Sequence, residues 1–301
     1  MQKRFIITTF SILLLVILSI LGLHIYNKPT RYAVFAGFNA NGTIDDYVIT
    51  YLKGLDEVTD GIVYIADSSL NDGELKKLKG INILYTNHTR HEEYDWGSYK
   101  RGYNWLKENK YLEKADELIF ANDSCYAPIT SFKPMFKTMA NKKELSFWGD
   151  LQNTQFNKHL QSYFLVFRKN IINSKSFNDF MNKVTHHNDH RYYITEYEIK
   201  ITPFLEQLGY KWDSYMPYNK LNILKTSDKN SYPLYLIKNH NHQFLKRRTF
   251  TTNLMILENT QELVEYLYNK HPKTFYNLIN EIPTKHIPTH LLDKINEKKD
   301  N

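Results

Sequence analysis

Residues 122–124 read Asn-Asp-Ser and follow directly on the apolar run Leu118-Ile-Phe-Ala121. A carboxylate placed where a buried strand stops has two readings. It opens a turn, here ahead of Pro128, or it faces a ligand and offers hard oxygen atoms to a cation or acceptors to hydroxyls. Other groups invite chemistry as well. Asp95-Trp96-Gly97 precedes a helical pattern, where free backbone N–H groups can receive phosphate, although Asp95 serves equally as an N-cap. Lys100 and Arg101 follow one turn later, placed to neutralise phosphate or to form a solvated basic face. Lys246-Arg247-Arg248 is the densest basic cluster beyond the N-terminal segment and suits anionic groups, acidic lipid among them. His159 and Gln161 head a strand and offer hydrogen-bonding groups to a ligand; a core histidine is the alternative for His159. His186, His187, Asp189 and His190, with His240 and His242, have the residue types of a transition-metal hydrolase site. They lie in an Asn-rich loop without a recognised ligand motif.

The elements that must position these groups alternate along the chain. Residues 32–36, 61–66, 81–85 and 118–121 read as strands. Between them, Ile44, Tyr47, Val48, Tyr51, Leu52 and Leu55 share a helical face, with Thr43 and Asp46 placed for a capping box. Short and longer helices follow at 74–79 and 96–107. This β-α-β-α-β-α-β order predicts an α/β fold with a mostly parallel sheet and flanking helices. Such sheets bind ligands beyond the carboxyl ends of their strands. Those ends read Gly37-Phe38-Asn39, Asp67-Ser68, Thr86-Asn87-His88 and Asn122-Asp123-Ser124, a polar rim. The second half predicts a helical face on Phe132, Met135, Phe136 and Met139, a strand over 159–169 and a helix over 176–185. A further helix over 196–208 is kinked or restarted by Pro203, two short helices lie near 258–270 and 274–282, and the tail after Leu292 is frayed.

Composition narrows the partners. The 301 residues carry a formal charge of +7, 23 tyrosines and 15% aromatics, which favours anionic ligands with ring surfaces suited to sugars and bases. No long basic block marks a nucleic-acid arm. The single cysteine, Cys125, excludes an internal disulfide and a cysteine zinc site. Residues 5–23 are uncharged and apolar, long enough for a helix of roughly 28 Å, about one bilayer core. No small-x-small cleavage site follows, so residues 1–30 are expected to be an uncleaved single-pass membrane anchor, with a secretory signal as the competing reading. Residues 31–218 then form the main domain, and 219–301 a basic segment with helices packed on it.

The stretches HEEYDWGSYKRGY (91–103), LIFANDSCYAPI (118–129), FWGDLQN (147–153), HLQSYFLVFRK (159–169), ITEYEIKIT (194–202) and IKNHNHQFLKRRTF (237–250) resemble, in this order, the rhamnan synthesis protein F family. Its members are glycosyltransferase-like proteins of bacterial rhamnan, lipopolysaccharide and capsule assembly. The resemblance covers 32–250 and implies a GT-A-like (Rossmann-like) fold. It implies a nucleotide-sugar donor whose sugar, often a deoxyhexose such as rhamnose, is moved onto a lipid-linked or lipopolysaccharide glycan. On this basis Asp95, Gly97, Lys100, Arg101, Asn122, Asp123, Ser124, Lys246 and Arg247 are the candidate donor contacts. Trp148, His159 and Gln161 are the candidate acceptor contacts. Asp123 is a candidate ligand of Mg²⁺ or Mn²⁺, although many GT-A enzymes use a carboxylate pair and only one carboxylate stands here. Inverting transfer needs one general base, for which Glu198 and Glu196 are the candidates; Thr195-x-x-Glu198 also fits a capping box. A non-catalytic glycan- or nucleotide-binding protein on the same fold is the alternative. Cytoplasmic donors place the catalytic domain on the cytoplasmic side of the bacterial inner membrane, whereas Lys3 and Arg4 pull mildly the other way.

Overall fold

The structure, a computed structural model of the chain, describes residues 28–216, 218–221, 226, 228–251 and 256–299. Short runs of β-branched and aromatic residues become the central strands β1 (Arg31–Gly37), β2 (Gly61–Ala66), β3 (Ile83–Asn87) and β4 (Glu117–Asn122). Every residue of β1, β2 and β4 is buried, because both faces of the sheet are covered. The two-residue strand β5 (Cys125–Tyr126) follows, then β6 (Phe147–Gly149), β7 (Gln152–Asn153), β8 (His159–Leu160), β9 (Phe164–Arg168), β10 (Trp212–Ser214) and β11 (Leu245–Lys246). Among the described residues seven strands form one sheet in the order β10-β6-β9-β4-β1-β2-β3. β9 runs antiparallel to β4 and β6, and the other pairs are parallel, so the expected mostly parallel α/β sheet is present.

One core lies on each face. Helices α1 (Asp46–Asp56) and α3 (Lys133–Ala140) bury Tyr51, Leu52, Met135 and Phe136 in the first, and α2 (Tyr94–Glu108), α4 (Lys175–Asn182) and α5 (Ile199–Gln207) bury Trp96, Tyr103, Phe177 and Leu205 in the second. α2 comes close to the sheet at Gly102, where a Cβ would stand 2.3 Å from Val34 Cγ1. Helices α6 (Pro233–His240), α7 (Thr260–Lys270), α8 (Pro272–Leu278) and α9 (Thr289–Lys299) add Leu236, Leu263, Phe275 and Leu291 to the first core. From β1 the chain steps outward to β2 and β3, while β4 lies on the other side of β1. The resulting crevice at the carboxyl ends of β1 and β4 is the topological switch point, where open α/β sheets take their ligands.

Several local expectations are corrected. The strand expected over 159–169 is two: β8 pairs with β7 in a separate ribbon, and only β9 enters the main sheet. The third strand starts two residues later than expected, at Ile83. Thr43 does not cap α1, since its hydroxyl donates to Asp45 Oδ1 and Asp45 occupies the N-cap position. The expected helix over 196–208 opens as a π-turn, Ile194–Glu198, and continues through Pro203 as α5. Thr195 Oγ1 donates back to Arg191 O at 3.1 Å, so no capping box with Glu198 forms. The chain end that was expected to fray is helical in α9, with Leu291 and Ile295 in the core. The apolar run 5–23 lies outside the described residues; among the described residues no helix is long and apolar enough to cross a membrane.

Candidate functional site

At the switch point the end of β4 is laced to the end of β1. The Asp123 amide donates to Ala36 O at 3.1 Å, and Asp123 Oδ2 accepts from the Phe38 amide at 2.7 Å. Asn122 Nδ2 donates to Asp95 Oδ2 at 2.9 Å, while Asn122 Oδ1 accepts from Ser124 Oγ at 2.6 Å. This polar wall separates two cavities. One, of about 250 Å³, is lined by Gly37, Phe38, Asp67, Arg90, Tyr94, Ser98 and Asp123. The other, of about 290 Å³, is lined by Phe156, His159, Gln161, Ser162, Tyr163, Glu198, Asp228, Lys246 and Arg248. Asp95, Asn122, Ser124 and His190 line both.

Charge in the wall is costly. Burial, reinforced by the charge of Glu198, pushes the Asp95 carboxyl up to about 6 against the hydrogen bond from Asn122. Burial likewise pushes Asp123 up to about 6, opposed by the Phe38 amide and by Arg247. Cations face the second cavity: Lys246 Nζ lies 3.8 Å from the centre of the Tyr163 ring and donates to Ser124 Oγ at 3.3 Å, and Arg248 donates to Asp228 Oδ2 at 3.1 Å. Glu198 accepts from Ser162 Oγ at 2.6 Å, and its Oε1 lies 4.0 Å from His159 Nε2. In the first cavity Arg90 lies 4.9 Å over the exposed Phe38 ring and donates to Asp67 O.

The expected site residues divide. Asp95, Asn122, Asp123, Ser124, His159, Gln161, Glu198 and Lys246 come together at the two cavities. Five others do not. Gly97 sits inside the first turn of α2, its amide already donating to Glu93 O, so it has no free N–H for phosphate. Lys100 Nζ donates to Val184 O at 2.6 Å, and Arg101 pairs with Glu93 and caps Gly97 O, which turns both cations away. Trp148 is wholly buried against Phe136 and Phe164 and is a core residue. Glu196 is paired with Lys200 on the exposed side of the π-turn. Arg247 lies 4.7 Å from the centre of the Tyr47 ring and outside both cavity linings; Arg248 lines the second cavity in its place. Gln161, though on the wall, has its amide spent on Asp228 and Asn230.

Two hydrolytic arrangements fail on their own geometry. His91 Nε2 stands 2.9 Å from Ser98 Oγ and His91 Nδ1 3.5 Å from Asp67 Oδ1, the layout of a nucleophilic triad. The Glu93 amide, however, donates to His91 Nδ1 at 3.1 Å, so the ring proton is on Nε2 and the imidazole donates to Ser98 instead of taking its proton. Burial, then Arg101, also pushes that imidazole down to about 4. In the histidine loop, His186 bonds Asn188, His187 stacks on Tyr192 and His190 lies tilted against Tyr94; elsewhere, His242 is bonded to Asp150. Among the described residues no group of three His, Cys, Asp or Glu side chains could hold a metal.

A divalent cation at the wall would have a lean donor set. Asp95 uses Oδ1 for the Trp96 amide and Oδ2 for Asn122, and Asp123 uses Oδ2 for Phe38. Among the described residues no hydrogen bond uses Asp123 Oδ1, which remains as a hard anionic oxygen. This fits a hard cation held by one carboxylate and completed by phosphate oxygens and water.

Ser162, Tyr163, Asp228 and His190 join the site without being expected donor or acceptor contacts, and Arg248 joins it from the basic cluster 246–248. Nothing local marks Ser162 or Asp228.

The uncharacterized protein y4gN of Sinorhizobium fredii (strain NBRC 101917 / NGR234) is 28% identical over 136 residues, 44% of this chain and 35% of that one. The match thus spans about a third of the length of that curated relative. Among solved structures, a glycosyltransferase involved in the glycosylation of the major capsid of PBCV-1 aligns at 9% identity and a TM-score of 0.39, over 71% of this chain and 93% of that one. Core-mannan synthase A from Aspergillus fumigatus, in its Mn/GDP form, aligns at 8% and 0.31 over 50% and 63%. A cytidylyltransferase from Leptospira borgpetersenii aligns at 11% and 0.38 over 66% and 78%. Residues 62–294 match the sequence model described as rhamnan synthesis protein F, well over half of the chain, and the chain belongs to that family.

Proposed function

We propose that the chain is a glycosyltransferase that moves a sugar, rhamnose or another deoxyhexose being the expected one, from a nucleotide-sugar donor to a growing surface glycan such as lipopolysaccharide, rhamnan or capsule. The observation that carries this reading is the pair of cavities sharing one polar wall, with an acid–base group and two cations on the far side. The nucleoside enters the cavity at the ends of β1 and β4, where Phe38 offers a ring face and Asp123 an acceptor. The diphosphate crosses the wall at Ser124 towards Lys246 and Arg248, which meet the charge that develops on the leaving group. The acceptor sugar occupies the second cavity beside Glu198 and His159.

Glu198 takes the proton of the acceptor hydroxyl. The freed oxygen forms the new bond to the sugar's anomeric carbon as the bond from that carbon to the phosphate oxygen breaks, and the electron pair leaves on the diphosphate. Direct displacement of this kind inverts the anomeric configuration. The hydrogen bond from Ser162 fixes the carboxylate of Glu198. A divalent cation, Mg²⁺ or Mn²⁺, held by Asp123 would add positive charge at the diphosphate. Residues 1–30 would anchor this domain to the cytoplasmic side of the inner membrane, beside lipid-linked acceptors.

The test is a thermal-shift screen of the full chain against dTDP, UDP, GDP and CMP, with and without Mn²⁺, followed by turnover of the matching nucleotide sugar. A nucleotide that binds the native state raises the melting temperature by mass action. No shift with any nucleotide would sink the donor site, and a shift without turnover would leave a binding protein.

A further inference from the structure

We propose that Asp150 is a positioning residue for the candidate site, holding Lys246 in place through Tyr163 and His242. This rests on the reading of Lys246 as a diphosphate contact. Asp150 follows β6 and is wholly buried, yet it is an ionisable group in an apolar surround. Its Oδ2 accepts from the Tyr163 hydroxyl and, at 2.6 Å, from His242 Nε2. Among the described residues Asp150 Oδ1 and His242 Nδ1 meet no hydrogen-bond partner. A network tuned only for stability would not leave these atoms bare, since well-packed apolar side chains in place of buried polar pairs are often neutral or stabilising.

What the network touches explains its retention. The Tyr163 ring is a wall of the second cavity, and the Lys246 ammonium rests 3.8 Å from its centre. A phenol that donates to a carboxylate has an electron-richer ring, which strengthens the attraction for a cation on its face. Burial and the Asp150 charge keep the phenol well above its ordinary pKa, so it stays a donor. The second arm of the network holds the backbone of the same lysine. Lys246 is carried on β11, only two residues long, paired with β5 through Cys125 and Tyr126. So short a ribbon is weak alone. It is fastened by the buried side chains just before it: His242 on Asp150, and Gln243 Oε1 accepting from the Thr130 and Ser131 amides at 2.9 and 3.1 Å. Asp150 thus fixes both the surface on which the ammonium lies and the segment that delivers it.

The decisive experiment measures binding of inorganic pyrophosphate to the full chain by calorimetry, with melting temperatures recorded alongside. Lys246→Ala is expected to weaken binding by about tenfold. Tyr163→Phe, which removes one hydroxyl and keeps the ring, weakens it by roughly three- to tenfold, and the double variant binds no more weakly than Lys246→Ala alone, because the two act through one contact. Asp150→Asn follows Tyr163→Phe; where it unfolds, Tyr163→Phe decides. Tyr163→Phe binding as wild type, or losses that add fully in the double variant, would overturn the positioning role even if the protein melts earlier. A wild type that ignores pyrophosphate, or Lys246→Ala without effect, removes the diphosphate reading and this inference with it.

Discussion

The side-chain amide of Asn122 donates to Asp95 at 2.9 Å, tying the residue that ends the fourth strand to the first turn of the helix that follows the third. Their contact makes the wall between the two cavities. Beside it stands Asp123, whose ionisation is made costly first by burial and further by the charge of Asp95.

Asp123→Asn should stabilise the fold while impairing donor binding. Its carboxyl stands at about 6 against an ordinary value of 3.8. A raised acid contributes stability that is fully present below the ordinary value and lost as pH rises through about 6. The amide cannot ionise and can still accept from Phe38, so at pH 7.5 the variant should gain about 1 kcal/mol, the group being only partly buried. That gain should vanish near pH 4. His91 contributes in the opposite sense: its depressed imidazole gives stability present above the unfolded value and lost as pH falls towards about 4. Melting curves of variant minus wild type across pH 4–8 isolate Asp123. A difference that does not change with pH would refute the assignment.

Glu198→Gln should lower turnover of the matching nucleotide sugar by about 10²- to 10⁴-fold with donor affinity changed less than about twofold. Glu196→Gln, on an exposed residue paired with Lys200, should leave turnover intact. Ser162→Ala frees the Glu198 carboxylate and should cost about tenfold. Equal losses in binding and turnover at Glu198 would assign it to the donor instead.

Arg248→Ala should weaken binding of the matching nucleotide by about tenfold, and the loss should shrink as salt is raised. Arg101→Ala should leave binding unchanged and cost about 1 kcal/mol of stability, because its partners are Glu93 and the Gly97 carbonyl. Titrations of both variants at two salt concentrations, with melting temperatures, separate the two roles.

Gly102→Ala should destabilise by about 1–3 kcal/mol, a fall of several degrees in melting temperature. The added methyl would lie 2.3 Å from Val34 Cγ1, and neither α2 nor the wholly buried β1 has room to retreat. A variant that melts with the wild type would show that α2 sits further from the sheet.

Local pattern was enough to find the framework. The four strands ending at Gly37, Ala66, Asn87 and Asn122 are apolar runs with polar ends, and both features are properties of neighbouring residues in the chain. The same pattern could not show that 159–169 breaks into two strands, since the split depends on β7 offering a partner to His159 and Leu160.

At the site the division follows the same physics. Residue types and the strand-end rule placed Asp123 and its neighbours at a ligand rim, because the end of a buried strand is a local event. Direction at that rim was decided by contacts far along the chain. Lys246 reaches Ser124 because β11 pairs with β5, and Glu198 comes opposite Asp95 because the π-turn packs across α2. Arg101, equally basic and closer in sequence to Asp95, turns to Glu93 instead. Side chains follow the strongest partner within reach, and which partners are within reach is known only once the sheet has brought distant segments together.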